Sequence, residues 1–200
     1  MRAFLQLLAL TTVIGFASFA QAASFNTVVI DPGHGGADNG GHFGRVYEKH
    51  LALDTSYRLE STLKGMGYRT VMTRRSDLFI SLPERCRIAN QYRNAIFVSV
   101  HYNYTWKKHV SGLETFYYGQ SSRKLASYVQ TGMIRHTRTV DRGVKFGRFY
   151  VIRHTNIPAI LIEGGFVSNT DERNRMKSAY FRQAVARGIA EGIQRYRRSG

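Results

Sequence analysis

Cysteine is almost absent from this chain: Cys86 is the only one in 200 residues, so no intramolecular disulfide can staple the fold. Acid is scarce as well. Thirteen Asp and Glu face 29 Lys and Arg, a formal net charge of +16. That excess points to an anionic partner, whether nucleic acid, an acidic membrane surface or an anionic wall polymer, and says nothing about fold. Internal repeats, low-complexity tracts and a Pro/Gly/Ser linker are all missing, which excludes a divided chain. What remains, 43% hydrophobic, suffices for one domain with a real core.

The N-terminus narrows the partners. Arg2 precedes an uncharged stretch from Ala3 to Ala22 that ends in Ala20-Gln21-Ala22. A positive start, an apolar run and a small-x-small ending in this order read as a signal peptide over residues 1–22. A retained anchor is the alternative, since the run is nearly long enough to span a membrane. Export argues against nucleic acid as a target. Cys86 falls in a helical pattern, Leu82 to Tyr92, on the face of Leu82 and Ala89, and reads as a buried inert thiol.

In the mature chain, short apolar runs alternate with longer helical patterns. Strands are expected at Thr27–Ile30, Tyr68–Thr73, Ala95–Val100, Leu113–Tyr118 (near an edge), Phe149–Ile152 and Ala159–Ile162. Helices are expected at Glu48–Met66, Leu82–Tyr92 with Ser81 and Glu84 as a capping box, Ser122–Ile134, and Ser178–Tyr196. The pattern is that of an α/β fold, a single domain over residues 25–198. Its mostly parallel sheet of about six strands would carry helices on both faces. In such sheets the working site gathers at the carboxyl ends of strands.

Those ends carry chemistry. Asp31-Pro32-Gly33-His34-Gly35-Gly36 follows the first strand, His101 the third, and Glu163-Gly164-Gly165 the last, while Glu48 opens the first helix. Two imidazoles and a carboxylate, His34, Glu48 and His101, suit a catalytic zinc with its fourth position left to water. Such an ion lowers the pKa of water to about 7 and polarises a carbonyl. Glu163 is then the general base, because a carboxylate closing an apolar run is costly to bury without a task. Taken singly, each residue has a bland reading: a satisfied surface histidine, or a glutamate favouring a helix N-terminus. His42 is a weaker rival for the ligand role. His50 sits two residues along the helix from Glu48 and points elsewhere, and His109, His136 and His154 read as surface residues. Spacing alone yields a metal hydrolase without a substrate.

Four stretches in order carry a resemblance. They are Val29–Gly36, Glu48-Lys49, Phe97–Asn103 and Pro158–Asn169, supported by Met72-Thr73-Arg74 and Leu82–Asn90. Together they resemble the zinc-dependent N-acetylmuramoyl-L-alanine amidases of the cell-separation (AmiC-like) type, from about Val28 to Tyr196. The resemblance implies Zn2+ on His34, Glu48 and His101, and Glu163 as the catalytic glutamate. It implies cleavage of the amide between the lactyl group of N-acetylmuramic acid and L-alanine of peptidoglycan. Two positions depart from the family: Tyr102 stands where a small residue is usual, and Gly164-Gly165 where one larger residue is common. Tyr102 is therefore expected to narrow the substrate groove or to stack against it. Asp31 is expected to order the Pro-Gly-His loop through its backbone or to support a ligand, and Asn103 to do similar work.

Some relatives insert a helix that plugs the zinc site after the helix matching Ser122–Ile134. Here only Arg135 to Arg148 intervenes, with Arg142–Lys145 reading as a connecting loop. The expectation is a monomeric, uncovered enzyme of the periplasm or cell wall that needs no activator. Trp106-Lys107-Lys108-His109 and Gln194–Arg198 are expected to meet wall glycan, anionic wall polymers or a membrane surface, or to be merely solvated. Rival readings are a zinc hydrolase acting on another amide, a wall-binding module without activity, and a polyanion-binding protein.

Overall fold

The computed structural model describes residues 25–199; the signal peptide read at 1–22 lies outside them. Six strands form one sheet: β1 (Thr27–Pro32), β4 (Arg69–Met72), β5 (Ala95–Asn103), β6 (Leu113–Tyr117), β7 (Asp141–Phe146) and β8 (Ala159–Phe166). A separate two-stranded hairpin, β2 (His42–Phe43) and β3 (Val46–Tyr47), leads into the first helix. The sheet order is β4-β1-β5-β8-β6-β7, parallel throughout except between β8 and β6. Among the described residues there are six helices: α1 (Glu48–Gly65), α2 (Leu82–Asn90), α3 (Gln120–Thr137), α4 (Tyr150–Arg153), α5 (Thr170–Lys177) and α6 (Ala179–Arg198).

Strand alternation divides the core in two. Val28, Ile30, Ile96, Val98, Val100, Ile160 and Ile162 point to the larger cluster, against Leu59 and Leu63 of α1, Leu125 and Val129 of α3, and Ile189 and Ile193 of α6. Val29, Phe97 and Leu161 point to the smaller one, covered by Cys86 and Ala89 of α2 and Val151 and Ile152 of α4. Two short helices cannot cover a whole sheet face. Towards the ends of β1, β5 and β8 the same alternation puts Asp31, Ser99, His101 and Glu163 on that face, Asp31 and Ser99 fully buried and His101 partly exposed.

The expected helix at Leu82 begins as foreseen, with Ser81 Oγ accepting from the Glu84 amide at 3.3 Å. Cys86 is buried, its thiol facing the Val151 carbonyl at 3.7 Å, and burial pushes its pKa up. Other expectations fail. Phe149–Ile152 is no strand: Tyr150–Arg153 is a helical turn that seats Val151 and Ile152 in the smaller core and leaves Phe149 and Tyr150 half in solvent. The strand instead is β7, in the stretch taken for a connecting loop. As an edge strand it buries little, so its composition is polar and carries no apolar signature. The short helix α5 and the hairpin β2–β3 also left no periodicity to read. His101 and Glu163 lie within β5 and β8, which run on past the expected ends to Asn103 and Phe166.

Candidate metal centre

Three elements bring the predicted donors together. His34 stands in the loop after β1, Glu48 is the first residue of α1, and His101 lies near the end of β5. Their ligand atoms all fall within 4.8 Å of one another. His34 Nε2 is 3.0 Å and His101 Nδ1 2.9 Å from Glu48 Oε1, and the two rings meet edge to face at 4.9 Å. Ligand bonds of 2.0–2.2 Å put neighbouring donors of a tetrahedral zinc roughly 3.3 Å apart, so the two pairs that Glu48 makes with the histidines are already near that spacing.

Glu48 is pinned from both sides. Its Oε1 accepts from the Tyr102 amide at 3.0 Å and its Oε2 from the Gly41 amide at 2.7 Å. Gly40, at φ +64, runs against the cluster: a Cβ there would lie 2.5 Å from Glu48 Oε2 and 2.5 Å from His34 Cδ2. Only glycine fits that approach. Burial alone would raise the Glu48 pKa, but His101 and His34 outweigh it and pull the carboxyl down to about 2 in the metal-free protein. For His34, burial disfavours the charged ring, yet Glu48 and Asp38 prevail and raise its pKa.

Asp38, which the sequence reading missed, bonds His34 Nδ1 at 2.8 Å. A carboxylate on the far ring nitrogen fixes the tautomer and leaves Nε2 as the ligand atom. It stands four residues after His34, and that spacing was its only signal in the sequence.

Glu163 pairs in register with His101 of β5 on one side and Glu114 of β6 on the other, so all three project to one face. It is buried, and its Oε2 has no hydrogen-bond partner among the described residues. Burial raises its pKa well above the ordinary value, with the Glu48 and Glu114 charges adding to the shift. Glu114, also unforeseen, is itself satisfied by Asn103 Nδ2 at 2.9 Å, Arg142 Nε at 2.9 Å and Lys145 Nζ. The two cations compensate Glu114 and leave Glu163 the only partnerless carboxylate in the row.

Tyr102 does not line a groove. It is wholly buried on the opposite sheet face, its hydroxyl bonded to Thr55 Oγ1 at 2.6 Å. The alternation of β5 forces this, because a residue beside outward-facing His101 must face inward. Among the described residues the Asp31 carboxylate bonds neither the loop backbone nor a ligand side chain. It accepts from Thr73 Oγ1 (2.6 Å), Ser99 Oγ (2.7 Å) and Arg85 Nη1 (2.7 Å), reaching the loop only through that arginine. Asn103 holds Glu114 rather than a ligand. His42 is exposed and stacks on Tyr47, outside the donor set, and His50 lies 3.5 Å from Asp77.

A cavity of about 380 Å³ opens beside the cluster. His34, Asp38 and His101 border it with Phe79, Ile80 and Leu82 from the segment before and into α2, and Phe149, Tyr150 and Val151 from α4 and its approach. A site with polar donors grouped against apolar walls suits a substrate with a reacting polar bond and bulky flanking groups.

A sequence model of N-acetylmuramoyl-L-alanine amidase matches residues 28–195. The amidase LytC of Bacillus subtilis is 34% identical over 86% of this chain, which spans 36% of that longer protein. The catalytic domain of the amidase CwlV from Bacillus (Paenibacillus) polymyxa superposes with a TM-score of 0.84 at 35% identity, covering 88% of this chain and 100% of that one. The amidase AmiC2 of Nostoc punctiforme does so with a TM-score of 0.82 at 36% identity, over 85% of this chain and 96% of that one.

Proposed function

Because the chain belongs to the N-acetylmuramoyl-L-alanine amidase family, we propose that it uses zinc to hydrolyse the amide between the lactyl group of N-acetylmuramic acid and L-alanine in peptidoglycan. The observation that carries this reading is the convergence of His34, Glu48 and His101 beside a buried glutamate with a free oxygen. The donors fit zinc in kind and in number, with three protein ligands leaving a position open. When bound, zinc supplies Lewis acidity, acidifying a water and polarising the scissile carbonyl.

The protein's own residues do the rest. Glu163 takes a proton from the attacking water at its free Oε2 and delivers it to the alanine nitrogen as the C–N bond breaks. The products are a lactyl carboxylate and a free amine. Asp38 keeps His34 oriented, and the Gly41 and Tyr102 amides keep Glu48 ionised and in place. Phe79, Phe149 and Tyr150 offer apolar walls to the groups flanking the bond and restrict water there.

The segment between α3 and α4 is taken up by the edge strand β7, so it has no helix to lay over the ligands. We infer that the enzyme works without an activator; silence on peptidoglycan until a partner is added would overturn this. Export to the periplasm or cell wall rests on the leader read at residues 1–22. Among the described residues, no helix is long and apolar enough to cross a membrane. The basic surface, at +16 overall, would favour anionic wall polymers.

The test is digestion of purified peptidoglycan with and without a chelator, followed by product identification. New amino groups on L-alanine that vanish with chelation and return with zinc are expected. Cleavage within the stem, or chelator-resistant turnover, would refute the reading. Glu163→Ala should abolish turnover while sparing zinc binding.

A further inference from the structure

Arg74 is only 3% exposed, yet among the described residues no carboxylate lies within ion-pair distance of it; neighbouring Asp31 and Asp77 are engaged by Arg85 and Lys49. A buried cation without a counter-ion is expensive unless its protons are satisfied. Here backbone carbonyls satisfy them. Nε donates to Pro32 O at 3.0 Å, Nη2 to Gly33 O at 2.7 Å and to Lys49 O at 2.9 Å, and Nη1 to Ser76 O at 3.0 Å.

The choice of carbonyls matters more than their number. Gly33 immediately precedes His34, and Lys49 immediately follows Glu48. One planar guanidinium nitrogen thus ties together the two backbone segments that carry two of the three donors, which lie in different elements. The loop needs such a tie, since His34 holds a left-handed backbone at φ 58 that only its surroundings can impose. Arg85 steadies the same loop from Pro32 O and His34 O, both at 2.6 Å, but does not reach α1 among the described residues. Lys49 of α1 also donates its Nζ to Gly36 O at 2.7 Å, but among the described residues only Arg74 joins the two carbonyls next to His34 and Glu48.

We propose that Arg74 is a positioning residue for the metal, setting the separation of His34 from Glu48 by clamping Gly33 and Lys49. The idea rests on the metal reading of the site. It requires a residue that donates in one plane to several acceptors at once. Lysine has a single ammonium point and cannot span both carbonyls with the same geometry.

The experiment measures zinc affinity of the full mature protein by competition with a chromogenic chelator, without peptidoglycan. Thermal unfolding of the metal-free protein is followed in parallel. Arg74→Lys should weaken zinc binding about 10- to 100-fold, the range for residues that orient metal ligands. Arg74→Gln, which brings no charge into the site, should also weaken it and serves if the lysine variant does not fold. Met133→Ala, in the α3 core on the far sheet face, is the control for lost stability. It should bind zinc like the wild type however much its melting temperature falls. Wild-type affinity in a folded Arg74 variant, or an equal loss in Met133→Ala, overturns the positioning role alone. A wild-type protein that binds no zinc overturns the metal reading together with this inference.

Discussion

Adding one methyl group at Gly164 should cost more than its size suggests. A Cβ there would stand 2.8 Å from Tyr102 Cε1, 3.0 Å from Cζ and 3.2 Å from Cδ1. The ring cannot yield, because Tyr102 is wholly buried and its hydroxyl is bonded to Thr55. Overpacking of this kind costs about 1–3 kcal/mol, or roughly 2–12 °C in melting temperature for a domain of this size. The assay is denaturant unfolding of the metal-free protein, so that metal linkage does not mask the difference. Tyr102→Leu alone should be destabilising by about 2–4 kcal/mol, through the lost ring and the unpaired Thr55 hydroxyl. It should also make room, so the double variant should be more stable than the sum of the two by about 1–2 kcal/mol. Tyr102→Phe keeps the ring and should give no relief. Gly164→Ala at wild-type stability, or strict additivity with Tyr102→Leu, would refute the argument. If it holds, the two departures from the family pattern, a large residue at 102 and a small one at 164, are a single packing exchange across β5 and β8.

Other expectations concern the site directly. In the metal-free protein Glu48 has its pKa lowered from 4.5 to about 2, so its contribution to stability is present above pH 4.5 and lost as pH falls towards 2. His34 has its pKa raised from 6.5, so its contribution is present below pH 6.5 and lost as pH rises through the raised value. Glu48→Gln should flatten both limbs of a pH–stability profile, and an unchanged acid limb would show that the cluster does not hold these charges. Tyr150→Ala, which opens one wall of the cavity, should raise KM by roughly tenfold with a smaller effect on kcat; a pure kcat defect would place Tyr150 elsewhere in the reaction. Cys86 should resist alkylation in the folded protein and react only on unfolding, since burial raises its pKa and removes access. Rapid native labelling would refute its reading as inert core.

The buried strands and long helices were legible because burial writes a period. The runs at Val28–Ile30, Ile96–Val100 and Ile160–Ile162, and the spacing of Phe181, Val185, Ile189 and Ile193, can be read without coordinates. Where burial is slight the period disappears, which is why edge strand β7 read as a loop; α4 is a single turn of four residues, too short to show a helical period, so its buried Val151-Ile152 pair read as a strand. Glu114 and Asp38 were illegible for other reasons. Asp38 stands only four residues from His34, but a carboxylate at that distance in a loop is too common to single out. Glu114 matters through what it faces across a sheet register, which has no fixed spacing along the chain. The same holds for Arg74, whose four acceptors are contributed by segments from residue 32 to residue 76.

By itself, then, the sequence determined the fold class, the donor types and the glutamate that closes an apolar strand, because each depends on local periodicity and residue chemistry. Tertiary structure alone decided which side chains share a face. It turned Tyr102 inward, left Glu163 Oε2 without a hydrogen-bond partner among the described residues while giving Glu114 two cations, and set one arginine between the His34 loop and the Glu48 helix. The physical reason is that hydrogen bonds and ion pairs are short-ranged. Groups far apart in the chain interact only where the sheet register and the packing of α1 bring them within about 3 Å.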